Sequence, residues 1–276
     1  MSEVTTMQRE RIADAIVQRL ASSRDRLREQ FAASCGRIGY FVLDDVLPSD
    51  LAGKVYEAFP APQLMTLKRS LREYKYIAAQ MDRYDRLLEE ALFAFQDWRV
   101  LDEIEVITGL TALEPDPELY AGGISVMVQD HFLNPHIDNS HDKDRSRWRV
   151  LNALFYVTPG WQDGHGGHLE LWPQGPGAQP LTLHSRFNRL VVMATHADSW
   201  HSVSPVRAAR PRCCVSNYYF RRAPVRDSDR FHVTSFRGRP EQPLRDLVLQ
   251  MDAGLRGLLR RAFRKGLGRL THLYRR

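Results

Sequence analysis

Between Ile124 and Phe220 the chain divides into short apolar runs, each closed by turn-forming residues. Arg149 to Thr158 (RVLNALFYVT) is rich in apolar and β-branched residues and reads as a buried strand. A turn carrying Gly164, Gly166 and Gly167 follows it, and then a half-buried strand, His168 to Trp172. Arg189 to Thr195 and Cys213 to Phe220 read as two more strands. Strands clustered this way predict an antiparallel double-stranded β-helix, a jelly roll of two facing sheets, rather than a parallel, doubly wound sheet. The fold class expected is mainly β with flanking helices (α+β): helices from the first 120 residues pack on the outer sheet, and a site opens at one mouth.

Within that region, Asn134 to Asn139 (NPHIDN) carries two metal-capable side chains, His136 and Asp138, two positions apart. On an extended strand both project from one face. Imidazole plus carboxylate is most of a facial triad for non-haem iron. The third ligand is expected from a distant strand, and His201 in Trp200-His201-Ser202-Val203 supplies one. A lone His-x-Asp is weak evidence, and the chain holds a second, His196-Ala197-Asp198. Composition does not choose between them; the ordered strands after the first pair favour it.

The ordered set His136-Ile137-Asp138-Asn139, Arg149, Phe155-Tyr156-Val157-Thr158, Gly166-Gly167, His201-Ser202-Val203-Ser204-Pro205 and Arg212 resembles the prolyl-4-hydroxylase-like branch of the iron(II)/2-oxoglutarate dioxygenases. The resemblance spans roughly Phe41 to Phe220 and is most specific from Pro135 onward. It implies a cupin-like barrel with Fe(2+), 2-oxoglutarate and O2 as cofactors, and ascorbate as an optional reductant. It makes His136, Asp138 and His201 the iron ligands and Arg212 the clamp on the distal carboxylate of 2-oxoglutarate. The Tyr156 hydroxyl falls beside that clamp and Gln129 near the inner carboxylate. The implied reaction is hydroxylation of an unactivated C–H bond with release of succinate and CO2.

A guanidinium fork suits a carboxylate better than a Lys point charge. Arg210 competes for the role; Arg212 is preferred because a strand opens from it, whereas Pro211 interrupts the ladder beside Arg210. Asn139, Arg149, His131 and Trp200 are candidates for substrate contact or for support of the ligands, although Trp200 also reads as barrel packing. Two other function classes stay open: a metal enzyme on a cupin-like barrel without 2-oxoglutarate, and a binding-only barrel with a vestigial site. Arg212 and Tyr156 discriminate, because a co-substrate clamp has no purpose in either.

With 276 residues, 43% of them hydrophobic, the chain suits one sizeable catalytic domain with appendages. The division expected is 1–38, an N-terminal helical segment; 39–222, the oxygenase domain with its core at 120–222; and 223–276, a linker and a basic C-terminal helix. Met7 to Ser34 reads as one flanking helix, Gly39 to Leu43 as a strand and Ser49 to Phe59 as a helix. Leu64 to Leu110 reads as mostly helical, with Leu87, Leu88, Ala91, Leu92, Phe95 and Trp98 on one stripe. Arg69, Arg72 and Lys75 fall on a helix or lid in this reading. Such a cluster is ordinarily a solvated face, but it could steer an acidic substrate. No apolar run approaches the ~18–20 residues of a membrane span, and the opening residues lack a signal-peptide core. Cys35, Cys213 and Cys214 cannot build a disulfide framework, which leads us to expect reduced thiols in a cytoplasmic protein.

Residues 245–276 carry nine Lys and Arg against Asp246 and Asp252. That surplus of seven exceeds the formal +6 of the whole chain, leaving the first 244 residues at −1. Leu244, Val248, Met251, Leu255, Leu259, Phe263, Leu267, Leu270 and Tyr274 add a helical apolar stripe, so the segment is amphipathic and basic. Packing of the stripe on the catalytic domain or a partner subunit is the favoured expectation. Peripheral association with an anionic membrane, at the inner face of the cell membrane, is the alternative. Nucleic acid is not expected as a partner, because no nucleic-acid-binding fold accompanies the charge. The substrate stays open among small molecules, glycans and peptides, as does the oligomeric state.

Overall fold

The computed structural model describes residues 3–120, 122–262 and 273–275. The strands are β1 (Tyr40–Asp44), β2 (Thr66–Arg69), β3 (Glu73–Ala78), β4 (Gly123–Met127), β5 (Phe132–Ile137) and β6 (Trp148–Tyr156), then β7 (Leu169–Leu171), β8 (Leu181–Leu183), β9 (Arg189–Ala194), β10 (His201–Val203), β11 (Arg212–Arg221) and β12 (Ser235–Phe236). They form one antiparallel ladder in the order β1-β9-β6-β11-β4-β3-β5-β10-β7-β8, with β2 paired to β3 and β12 to β5. Strand β3 is the hinge of the ladder. Its residues Tyr76 to Ala78 pair with β4, while Glu73 and Tyr74 pair with β5. The larger half, β1-β9-β6-β11-β4, and the smaller, β5-β10-β7-β8, are the two sides of the jelly roll expected from the sequence.

Helices α1 (Glu3–Ser22), α2 (Arg24–Ser34), α3 (Ser49–Glu57), α4 (Arg86–Ala94) and α5 (Trp98–Thr108) buttress the larger half. The carboxylates of Asp85 and Asp97 cap α4 and α5 by accepting from the backbone N–H of Leu87 and Arg99. Gly109, at φ 72°, ends α5 in the left-handed conformation that glycine adopts freely. Ile12, Ile16, Leu20, Leu27 and Phe31 share one core with Leu88, Ala91, Leu92 and Phe95, and with Val150, Phe155 and Val192 of the sheet. Each such Ile, Leu, Val or Phe side chain contributes about 1.5–3 kcal/mol when fully buried.

Three elements differ from the sequence expectation. Met7 to Ser34 is two helices that meet at Ser23, not one. There Arg19 Nη1 donates to the Ser23 hydroxyl at 2.8 Å and the Ser22 hydroxyl donates to the Arg19 carbonyl at 2.9 Å, bonds that compete with a continuous helix. The stretch from Met65 has no α-helix until Arg86: residues 66–69 and 73–78 form the β2–β3 hairpin, and Met81–Arg83 makes a single 3-10 turn. Pairing with β4 and β5 overrides a local preference that is modest for Leu, Lys, Arg and Glu. Trp98 opens α5 at 70% exposure, off the buried stripe.

The C-terminal helix α6 (Pro243–Ala262) forms, but the described part of its apolar stripe does not pack. Leu244, Leu247, Val248, Met251 and Leu255 are 50–81% exposed. The helix is held instead by Leu249, which is buried with Phe236, Met127 and Val203, and by ion pairs. Arg237 forks onto Asp246 at 2.7 and 2.8 Å, and Arg72 Nε reaches Asp252 at 3.0 Å. Leu259 lies in the part of α6 whose side chains are not described, and Phe263, Leu267 and Leu270 lie outside the described residues. Tyr274 is buried against Phe93.

Candidate metal centre

Register brings the candidate ligands together. In the β5–β10 ladder His201 is the direct cross-strand partner of His136, and the two rings lie 4.1 Å apart. Asp138 follows two residues beyond His136, so the alternation of an extended chain turns it to the same side. His136 Nε2 is 3.8 Å from Asp138 Oδ1 and His201 Nε2 is 3.7 Å from Asp138 Oδ2. Among the described residues this is the one group of three His, Cys, Asp or Glu side chains whose ligand atoms all lie within 4.8 Å of one another. All three are buried.

The protonation of the cluster suits a cation. His136 Nδ1 faces the Asn134 carbonyl at 3.0 Å and His201 Nδ1 faces the Ser199 carbonyl at 2.9 Å. A carbonyl only accepts, so we assign each Nδ1 as protonated, which leaves Nε2, on the side of Asp138, as the ring atom available to a metal. Burial, reinforced by His201, pushes His136 down to about 3 despite Asp138, so its ring is neutral. Burial alone would raise Asp138. His201, Arg149 and His136 outweigh it and hold the carboxylate at about 2, ionised at neutral pH. Asp138 Oδ2 has no hydrogen-bond donor of its own. Two imidazoles and a buried carboxylate with an unsatisfied oxygen fit a hard or borderline divalent metal.

The cluster opens into a cavity of about 430 Å³ between the two halves of the roll. Strand alternation decides which residues reach it. β11 contributes Arg212, Cys214, Ser216 and Tyr218; β4 contributes Gly123, Ser125 and Met127. Arg212 is 3% exposed, yet its hydrogen bonds are long ones, to the Ser185 hydroxyl at 3.5 Å and the Met127 sulfur at 3.6 Å. No carboxylate among the described residues pairs with it. A buried guanidinium without an anion is costly, so the site is built to receive one. Tyr156 lies under that guanidinium, ring centroid to Cζ 4.7 Å, and burial pushes its phenol up to about 12, so it can donate a hydrogen bond across the neutral range. Arg210 is exposed and donates to the Pro159 carbonyl at 2.6 Å, away from the cavity.

The other candidates divide. Asn139 lines the cavity and donates to the His141 carbonyl at 2.6 Å. Arg149 lines it as well, 3.6 Å from Asp138 Oδ1 and 4.3 Å from the Tyr218 ring. Gln129 does not reach it, which corrects the expectation: it is exposed in the turn after β4, and Met127 and Ser125 face the cavity in its place. His131 is buried behind β3, 3.9 Å from the Tyr74 ring. Trp200 is half-buried, and its carbonyl accepts from Trp172 N. The rival pair separates: Asp198 is exposed and pairs with Arg226, while the buried ring of His196 accepts from the Asp198 backbone N–H.

Several lining residues were not singled out from sequence. Ser216 and Tyr218 follow from alternation along the strand that Arg212 opens, and could have been found that way. Thr234, Phe236 and Arg256 come from the C-terminal segment and reach the cavity only through tertiary packing.

A profile of the 2OG-Fe(II) oxygenase superfamily matches residues 122–220. A search of curated protein sequences finds no match. Among solved structures, a prolyl-4-hydroxylase from Pseudomonas putida superposes with a TM-score of 0.53 at 20% identity, covering 71% of this chain and 100% of its own. A prolyl 4-hydroxylase from Phytophthora capsici gives a TM-score of 0.54 at 17% identity, covering 90% and 78%. At these identities the likeness speaks for the fold, while the profile match falls on the strands that carry the His136, Asp138 and His201 cluster. Residues 122–220 thus match the 2OG-Fe(II) oxygenase superfamily profile, and the chain shares the fold of the solved prolyl 4-hydroxylases.

Proposed function

We infer that the protein is an iron(II)- and 2-oxoglutarate-dependent dioxygenase that hydroxylates an unactivated C–H bond, with release of succinate and CO2. The observation that carries this reading is one cavity holding both a buried His136-Asp138-His201 cluster and a buried, anion-free Arg212. A metal enzyme without 2-oxoglutarate would have no use for the second. In this reading His136, Asp138 and His201 hold the iron, while Arg212 and Tyr156 hold the distal carboxylate of 2-oxoglutarate. Bound together, the metal and co-substrate supply O2 activation coupled to oxidative decarboxylation. The chain supplies placement. Asn134 and Ser199 fix the imidazole tautomers, Arg149 and Tyr218 steady the Asp138 carboxylate, and the apolar wall of Leu133, Leu154 and Leu169 excludes water. The test is succinate release from 2-oxoglutarate by the full chain under iron and air. No release with any of a broad set of peptide, glycan and small-molecule substrates, and none uncoupled, would sink the reading.

A second reading concerns α6. Its exposed Leu244, Leu247, Val248, Met251 and Leu255, on a segment with a surplus of seven positive charges, favour peripheral association with an anionic membrane from the cytoplasm. No helix among the described residues is long and apolar enough to cross a membrane.

A further inference from the structure

Neither a metal nor 2-oxoglutarate accounts for one part of the cavity wall. Alternation along β3 turns Glu73, Lys75 and Ile77 into the cavity, while Tyr74 and Tyr76 on its other face stack against His131. Arg72 precedes this strand, and α6 brings Arg256 to the same cavity. The two arginines share one carboxylate: Arg72 Nε and Arg256 Nε each lie 3.0 Å from Asp252 Oδ2. Arg256 Nη2 is buried 2.8 Å from that oxygen, at an angle that makes no hydrogen bond. Among the described residues, Lys75 pairs with Glu73 alone, at 3.0 Å.

Three cations thus face two carboxylates, and two guanidiniums crowd one of them. Burial, then the neighbouring Arg72, pull Arg256 below its ordinary value against the opposing pull of Asp252. A positive surplus inside a partly enclosed cleft focuses potential on anions. Guanidinium N–H donors match planar or tetrahedral oxyanions in geometry as well as in charge.

We propose that Arg72, Lys75 and Arg256 form an oxyanion subsite, so that the molecule to be hydroxylated carries a carboxylate or phosphate group. The inference deepens the proposed function and rests on it. The subsite joins the β3 strand to α6, and so makes the C-terminal helix part of substrate recognition.

Calorimetry on the full chain, with nickel standing in for iron, tests both levels in order. Nickel and then 2-oxoglutarate are titrated first; failure of either to bind the wild-type protein overturns the proposed function and this inference with it. Inorganic phosphate and acetate are then titrated separately into the saturated ternary complex. Saturable binding of at least one is expected, and the tighter of the two names the oxyanion. Lys75→Met and Arg256→Met, on different elements, should each weaken it at least tenfold while nickel and 2-oxoglutarate affinities stay within twofold. No saturable binding overturns the subsite. Binding unchanged in both variants marks an adventitious ion only and overturns it too. Loss of 2-oxoglutarate affinity in either variant would move that residue into the co-substrate's own site, again against the proposal.

Discussion

At the scale of single residues, the pair His136 and Asp138 was legible because alternation on a strand is a local rule, and His201 because it follows the strand Arg189 to Thr195 in an ordered set. The preference over His196 and Asp198 rested on the strands that follow the first pair, and register supplies its geometry: His201 faces His136 directly, whereas Asp198 turns out to Arg226. Asp138→Ala should abolish 2-oxoglutarate turnover and nickel binding, read by succinate release and calorimetry. His196→Ala should keep both at a stability cost of about 1–3 kcal/mol from a lost buried polar group; the reverse pattern would shift the metal to the other pair. Gln129 was misplaced because a side chain in a turn has no alternation to fix its direction. Arg212 and Arg210, two positions apart, part company at Pro211. Arg212→Ala should raise the 2-oxoglutarate KM by at least about 30-fold, since losing one member of a desolvated charge pair costs ~2–5 kcal/mol. Arg210→Ala, which removes an exposed contact with the Pro159 carbonyl, should leave it within twofold.

Among elements, β6, β9 and β11 were legible because they are runs of apolar residues buried on both faces, whereas the three-residue, half-exposed β8 was not. The β2–β3 hairpin was not. Thr66 to Ala78 is rich in residues that helices accept, and only β4 and β5 make it a strand pair. The Gly166-Gly167 turn is the reverse case, since its chemistry is local. Gly166 sits at φ 67°, and a Cβ there would stand 2.1 Å from the Pro205 carbonyl oxygen. Gly166→Ala should therefore lower stability by about 1–3 kcal/mol or more and shift the thermal midpoint downward. The loop from Asp142 to Arg147 offers a pH test. Burial would raise the Asp142 carboxyl, but the Arg147 guanidinium and Ser146 hydroxyl and N–H hold it below its usual value. A depressed carboxylate contributes stability above the unfolded value, near pH 4, and loses it as pH falls through the folded value. Thermal midpoints of Asp142→Asn should lie below wild type at pH 7 and converge with it below about pH 3. A constant gap across that range would assign the loss to packing.

For the molecule as a whole, the basic tail was legible as an amphipathic helix but not as part of the site. Read from sequence, every site residue lay before Cys213, so deletion of the tail was expected to spare turnover if the segment binds membrane and to damage the protein if it packs. Folded, the chain returns: Thr234, Phe236 and Arg256 line the cavity, and Leu249 is buried beside Met127 and Val203. Hydrophobic periodicity finds a stripe but cannot say which surface covers it. Here the helix is fastened by Leu249 and the Asp246 and Asp252 pairs, while the described part of its stripe, Leu244 to Leu255, faces outward. Ending the chain at Gln242 should therefore cost about 1.5–3 kcal/mol for Leu249 alone, with more from Asp246 and Tyr274. Binding of nickel and 2-oxoglutarate should persist, because His136, Asp138, His201 and Arg212 are held by strands that do not depend on α6. The intact protein should float with anionic vesicles at low salt and be released at high salt, where charges are screened within about 3 Å. Leu247→Ser with Met251→Ser, at two exposed positions, should weaken flotation without moving the thermal midpoint. A fall in that midpoint, with no flotation by wild type, would instead mean that the outer stripe of α6 is buried in the protein's working state.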